Sequence, residues 1–187
     1  MLGVRQLALD GVLEILPQKH GDARGFFCET WSKATFAAAG IDLDFVQDNH
    51  SLSSCAGTLR GLHYQCPPCA QAKLVRVVHG AIFDVAVDIR LGSPSFAQWV
   101  GIEVSSALGN QLLVPRGFAH GFITLHANTE VIYKVDAAYS KEHDRAIRYD
   151  DPAIGVSWPV KSETLHLSGK DRDAPLLAEI DTGFSYP

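Results

Sequence analysis

Residues 109–122 read GNQLLVPRGFAHGF, and this stretch decides how the rest of the chain is read. Gly109, Pro115, Gly117 and His120 fit the pattern G-x5-P-x-G-x2-H. Proline presets φ and glycine tolerates positive φ, so Pro115-Arg116-Gly117 predicts a turn between two apolar runs and a β-hairpin with His120 beyond it. Working outward, KLVRVV (73–78), AIFDVAVDI (81–89), QWVGIEV (98–104) and EVIYKV (130–135) are rich in β-branched residues. Turns at His79-Gly80 and Gly92-Ser93-Pro94 separate several of them. Closely spaced short strands of this kind predict an all-β sandwich or barrel. Alternation within 81–89 sets Phe83, Val85, Val87 and Ile89 on one face and Asp84, Ala86 and Asp88 on the other. One of those faces is the interior, and alternation alone leaves Asp84 facing either a cavity or the surface. WSKATFAAAG (31–40) predicts a short helix capped by Ser32 and ended by Gly40. The polar stretch LHLSGKDRDAPLL is expected to lie as helix or loop against the barrel.

The chain has 187 residues, 47% of them apolar, which fits a single domain spanning 1–187 with a sizeable core. A net charge of −5 argues against nucleic acid as a partner, since such domains present a basic stripe to phosphates. A few clustered Arg and Lys residues can still receive a small anion. No charged start followed by a long apolar run marks a secretory signal, and no apolar stretch approaches the roughly 18 residues of a membrane span. These features predict a cytoplasmic protein that does not engage the membrane. Cys66 and Cys69 form C-P-P-C, but Cys28 and Cys55 are too scattered to complete a zinc site, and no α/β context supports a redox pair. The expectation is four reduced thiols.

A second stretch, GTLRGLHYQ (57–65) continuing into AQAKLVRVVHG (70–80), holds further chemistry. With 109–122 it resembles the two motifs of the cupin superfamily, which implies a jelly-roll double-stranded β-barrel with a few short peripheral helices. A metal-binding cupin carries H-x-H and a glutamate seven positions before a glycine. Here the pattern is His63-Tyr64-Gln65, and Lys73 stands seven positions before Gly80. An ammonium has no lone pair to give a metal, so His63, Gln65, Lys73 and His120 make a poor cage. The expectation is a barrel with no metal and no cofactor. The same groups suit carbanion chemistry, with a histidine as base and the lysine stabilising an enolate oxygen.

The segments GDARGFFCETW, VQDNHS, LRGLHYQCPPCAQAKLVRVVHG, FDVAVDIRLGSPSF, VPRGFAHGF, YKVDAAYSKEHDRAIRYDDP and LSGKDRDAPLL follow one another along the chain. Together they resemble the dTDP-4-dehydrorhamnose 3,5-epimerase family over almost the full length. The resemblance implies inversion of C3 and C5 of a dTDP-4-keto-6-deoxy sugar. It implies His63 as base oriented by Asp171, Tyr133 as the acid on the other face of the ring, and Lys73 near the enolate oxygen. It places Arg60, His120 and Lys170 about the sugar and diphosphate, and Arg24, Glu29, Gln47 and Asn49 about the nucleotide. Tyr139 is a candidate for stacking on the base. Asp144 stands where the family usually has Glu. The resemblance also implies a homodimer in which an N-terminal segment is exchanged between subunits.

Blander readings stand beside these. A histidine in a strand is usually a hydrogen-bonded structural residue; His63 has Arg60, Gln65 and Lys73 for company, whereas His79, His126 and His166 do not. Without the resemblance Tyr133 reads first as a core residue, Tyr139 reads equally as a turn residue, and Lys170 and Asp171 read as solvated charges. Gly25, Gly61 and Gly117 read as turn residues, and GDARG is a poor match to a phosphate loop. Three other functions compete: a single-carbon epimerase on a related 4-keto nucleotide sugar, a metal-dependent cupin, and a non-catalytic sugar-binding cupin.

Overall fold

A computed structural model of the chain describes residues 2–160 and 165–186. The strands are β1 (Gly3–Gln6), β2 (Leu13–Leu16), β3 (Lys19–Asp22), β4 (Gly25–Cys28), β5 (Gln47–Ser53), β6 (Leu59–Gln65) and β7 (Lys73–His79). They continue with β8 (Ala81–Asp88), β9 (Trp99–Ser105), β10 (Gln111–Val114), β11 (Phe118–Thr124), β12 (Thr129–Val135) and β13 (Asp144–Ala146). Two short helices, α1 (Lys33–Ala38) and α2 (Gly169–Arg172), accompany them. The strands form a six-stranded sheet in the order β1-β2-β10-β7-β12-β5 and a five-stranded sheet in the order β13-β6-β11-β8-β9, with β3-β4 as a separate hairpin. Every pairing between these strands is antiparallel, while two isolated bridges, Thr58 with His166 and Leu91 with Ser185, are parallel. This is the jelly-roll barrel of the cupins; the turn expected at Pro115–Gly117 joins β10 to β11, but these strands lie in different sheets and do not pair, so it is a corner between the sheets and not the β-hairpin expected.

Alternation fixes the core. Inward-facing Val75, Val77, Ile82, Ala86, Leu112, Phe118, Phe122 and Val131 pack between the sheets. The other face of β8, with Val85, Val87 and Ile89, packs outward against Leu62, Ile147, Ile154 and Leu177 under the C-terminal segment. Asp84 shares the face of Ala86, so it points into the barrel and is 0% exposed. A third cluster sets Phe36 of α1 against Ile15, Leu74 and Leu113 on the outside of the six-stranded sheet. The helix is shorter than the sequence pattern 31–40: Ser32 caps it by accepting from the Thr35 backbone N–H, and Gly40 lies beyond its end at φ +84°.

β6 and β11 approach most closely at Gly61, where φ is +127°. A Cβ there would lie 2.5 Å from Gly121 Cα and 2.8 Å from the His120 carbonyl. Both neighbours are backbone and cannot swing aside, so Gly61 serves strand packing as well as chain direction. Gly61→Ala is expected to cost at least the ~1–3 kcal/mol of a strained backbone position and to lower the urea midpoint clearly. An unchanged midpoint would show that the strands separate at no cost.

Candidate active site

His63 on β6 and His120 on β11 are register partners, so two histidines enter the barrel from neighbouring strands of the five-stranded sheet. Lys73 begins β7 and Tyr133 sits on β12, both in the six-stranded sheet. The two sheets meet at a cavity whose two lobes, about 260 and 240 Å³, share His63, Lys73 and Tyr133 in their walls. Arg60, His120 and Asp171 line the first lobe. Gln47, Asn49, Tyr139, Asp144 and Lys170 line the second.

Asp171 reaches His63 from 108 residues away because the C-terminal segment docks beside β6. The Leu59 N–H donates to the His166 carbonyl (3.1 Å) and the His166 N–H donates to the Gly57 carbonyl (2.9 Å). Ser168 then caps α2, accepting from the Asp171 N–H (3.1 Å) while its hydroxyl donates to Asp171 Oδ2 (2.6 Å). Asp171 Oδ1 accepts from His63 Nε2 (2.5 Å) and from the Gly61 N–H (3.3 Å). Burial pushes the Asp171 carboxyl up, but the hydrogen bonds from His63, Ser168 and Gly61 outweigh it and hold the group below its ordinary value. The sign follows: these contacts add stability above roughly pH 4, and it is lost as acid titrates the folded carboxylate.

Lys73 is 8% exposed and donates to the His63 carbonyl (3.3 Å). Burial draws its ammonium down to about 8, while Asp84 and Asp144 pull it back up and Lys170 pushes it further down. His120 Nε2 donates to Asp84 Oδ1 (2.6 Å). Burial keeps the His120 imidazole below its ordinary value despite that carboxylate, so it is largely neutral at pH 7. Burial raises the Tyr133 phenol, with Arg60 opposing, and the hydroxyl keeps its proton at neutral pH. Arg60 is held over β5 by bonds from its guanidinium to Ser53 Oγ and the Leu52 carbonyl, each 3.3 Å. Lys170 Nζ lies 2.5 Å from Asp144 Oδ2, to which the Tyr139 hydroxyl also donates at 3.4 Å. The arrangement offers a base on one sheet with its orienting carboxylate on α2, and a phenolic acid on the other sheet, with a buried cation lining the same cavity. Such a set can move protons across a carbon acid and stabilise the anion formed.

Two residues of the sequence-based set lie elsewhere. Arg24 is in the turn of the β3-β4 hairpin, paired with Asp22 at 2.5 Å, and its side chain is 90% exposed. Glu29 accepts from Thr35 Oγ1 (2.8 Å) outside the barrel. Neither lines the cavity of its own chain. The cavity also uses Ser51, Phe122 and Ser168, which the sequence reading did not assign. Their signals were present: Ser51 continues the alternation of Gln47 and Asn49, Phe122 that of His120, and Ser168 is a helix-cap residue three positions before an acid. Asp84 was the residue that sequence left undecided. Among the described residues no group of three or more His, Cys, Asp or Glu side chains converges as a metal site, and all four cysteines are free thiols.

Comparison with known proteins extends this reading. The family model for dTDP-4-dehydrorhamnose 3,5-epimerase matches residues 6–179. The enzyme of that name from Sinorhizobium fredii is 52% identical over 182 residues, covering 97% of this chain and 93% of its own. That from Salmonella typhimurium is 48% identical over 178 residues, covering 95% and 96%. The crystal structure of dTDP-6-deoxy-D-glucose-3,5-epimerase from Legionella pneumophila, in complex with dTDP-4-keto-L-rhamnose, matches with a TM-score of 0.95 at 43% identity and covers 100% of both chains. A 3′-monoepimerase from Streptomyces bikiniensis, in complex with dTDP-quinovose, matches at 0.86 and 32% identity, covering 92% of this chain and 86% of that one. With a family match from residue 6 to residue 179 and near full-length relatives on the same barrel, this chain is a sugar epimerase and belongs to the dTDP-4-dehydrorhamnose 3,5-epimerase family.

Proposed function

We propose that this cavity inverts C3 and C5 of dTDP-4-dehydro-6-deoxy-D-glucose to give dTDP-4-dehydro-L-rhamnose. The observation that carries the reading is the placement of His63 on one sheet, bonded to Asp171 of α2, and Tyr133 on the facing sheet, around one cavity that also holds Lys73. His63 takes the proton from the carbon beside the C4 ketone, and Asp171 stabilises the imidazolium that forms. The electron pair moves to the ketone oxygen as an enolate, which the Lys73 ammonium stabilises. Tyr133 returns a proton to the opposite face of that carbon, and exchange with solvent resets acid and base. The same cycle at the second flanking carbon completes the reaction, with no change of oxidation state and no cofactor. A second reading, inversion at one carbon alone, is favoured by the structural likeness to a 3′-monoepimerase, and it uses the same base and acid.

The proposal extends to assembly and location. A homodimer in which the β3-β4 hairpin crosses to the partner explains why Arg24 lies outside its own cavity while Phe26 and Phe27 stand 66% and 72% exposed. Four free thiols fit a reducing cytoplasm, and no helix among the described residues is long and apolar enough to cross a membrane.

In deuterated water, the wild-type enzyme is expected to place solvent deuterium at both C3 and C5 of an L-configured product. Label and inversion at one carbon would establish the single-carbon reading. His63→Ala should lose on the order of 10²–10⁴ in turnover, as for a general base, and activity within a few-fold of wild type would remove its assignment. Tyr133→Phe should stop product formation while leaving some deuterium exchange; loss of both together would count against its role as the acid.

The Lys73 ammonium is present below about pH 8 and lost above it. Turnover should therefore fall about tenfold per pH unit above that value. The limb should be missing from the residual activity of Lys73→Arg, whose guanidinium stays charged. A limb that survives in that variant belongs to another group.

Subunit exchange has its own test. Arg24→Ala and His63→Ala proteins, each impaired, should recover activity when their subunits are unfolded and refolded together. One cavity in each mixed dimer then holds both residues. Absence of recovery in demonstrated mixed dimers would show that Arg24 serves its own chain.

A further inference from the structure

The segment joining β12 to β13 forms the wall of the second lobe and carries Tyr139, whose ring is exposed and whose position its own packing does not fix. Its backbone is held by side chains from elsewhere, and three of them are glutamines. Gln71 Nε2 donates to the Ala137 carbonyl (2.7 Å). Gln65 Nε2 donates to the Ala138 carbonyl (3.3 Å) and to the Cys69 carbonyl (2.7 Å), and Gln65 Oε1 accepts from the Ser140 N–H (2.6 Å). Gln47 Oε1 accepts from the Tyr139 N–H itself (3.0 Å). Backbone groups of four successive residues, 137 to 140, are thus taken up by amides from β5, from β6 and from the β6-β7 connection.

A primary amide suits this task because it donates twice and accepts at one oxygen, matching a backbone that alternates carbonyls and N–H groups. Gln65 is 4% exposed, and three of its hydrogen-bonding positions are engaged within the protein. Its amide is therefore committed to the wall. We propose that Gln65 and Gln71 are positioning residues that act through Tyr139: they hold its backbone so that the ring meets the nucleotide end of the substrate in a fixed place. This rests on reading the second lobe, lined by Gln47, Asn49 and Tyr139, as the nucleotide end of the proposed substrate. Both glutamines line the second lobe and neither lines the first, where Arg60, His120 and Asp171 stand, so the effect belongs to binding and not to proton transfer.

The test uses Gln65→Glu, which keeps the shape but cannot donate to two carbonyls, and Gln71→Ala at a half-buried position. Calorimetry with dTDP and steady-state kinetics are run on both, alone and combined with Tyr139→Ala, with thermal melting as the control for folding. Each single variant should weaken dTDP binding and raise KM about tenfold, the scale of one or two lost hydrogen bonds, with kcat within about threefold of wild type. In the Tyr139→Ala background neither should weaken binding further. Losses that add fully to that of Tyr139→Ala, or a kcat that falls at unchanged KM, would overturn the positioning role while leaving the nucleotide end where it is. If Tyr139→Ala itself binds dTDP as tightly as wild type, both the placement of the nucleotide and the role of the glutamines fall. Should Gln65→Glu show no cooperative melt, Gln71→Ala decides by the same criteria.

Discussion

An ammonium group inside a β-barrel loses its water, and the cavity of this chain is built around that cost at Lys73. Burial draws the group down to about 8, and the carboxylates of Asp84 and Asp144 work against the loss. Each carboxylate also serves a second residue, Asp84 binding His120 and Asp144 binding Lys170. Because burial keeps His120 below its ordinary value, Lys73 has a largely neutral imidazole near it at neutral pH and not a second cation at that position. The bond from Lys73 to the His63 carbonyl then ties that cation to the strand bearing the base. In the proposed mechanism this fixes positive charge beside the position where the enolate forms, without the reorganisation that water would require.

Much of this was legible in the sequence, and the limits have physical reasons. Period-two alternation separated the faces of β8, β-branched content revealed β7, β8, β9 and β12, and turn chemistry revealed the turn between β10 and β11, because all of these signals are local. Lys73 at a cupin glutamate position was a local signal too. Alternation separated the faces of β8 but could not say which was inside, since Asp84 and Ala86 give no preference until a second sheet covers them. Asp171 was harder. It lies in a polar stretch where charge is normally solvated, and only docking of the C-terminal segment on β6 brings it to His63. Arg24 and Glu29 were assigned by resemblance, and nothing in one chain's own packing brings them to the cavity.

Gln65 shows how a residue can be read for what it lacks. Beside His63 it marks the place where a metal-binding cupin has its second histidine, and the sequence reading used it to argue that the cage is poor. The structure gives the side chain a positive role, because its amide braces the wall that carries Tyr139. Such a role leaves no periodic or spacing signal. It depends on which backbone groups of a distant loop come within reach, and those are fixed only when β13 pairs with β6 and sets Asp144 opposite Gln65.

A single base and a single acid on facing sheets can serve two carbons only if the sugar presents each in turn to the same pair. The carbons flank the ketone on opposite sides, so the ring must move about the anchored end while the C4 oxygen stays near Lys73. This divides the work between the two lobes. On the proposed mechanism the first lobe needs a fixed proton acceptor and donor, the roles given to the His63–Asp171 pair and Tyr133. The second lobe needs a hold on the part of the substrate that does not react, firm enough to survive the turn. A wall segment braced by hydrogen bonds at four successive residues meets that need better than an exposed aromatic on a loose turn. On this view one-carbon and two-carbon inversion differ in the freedom the sugar keeps between these lobes, and the catalytic groups can be the same in both.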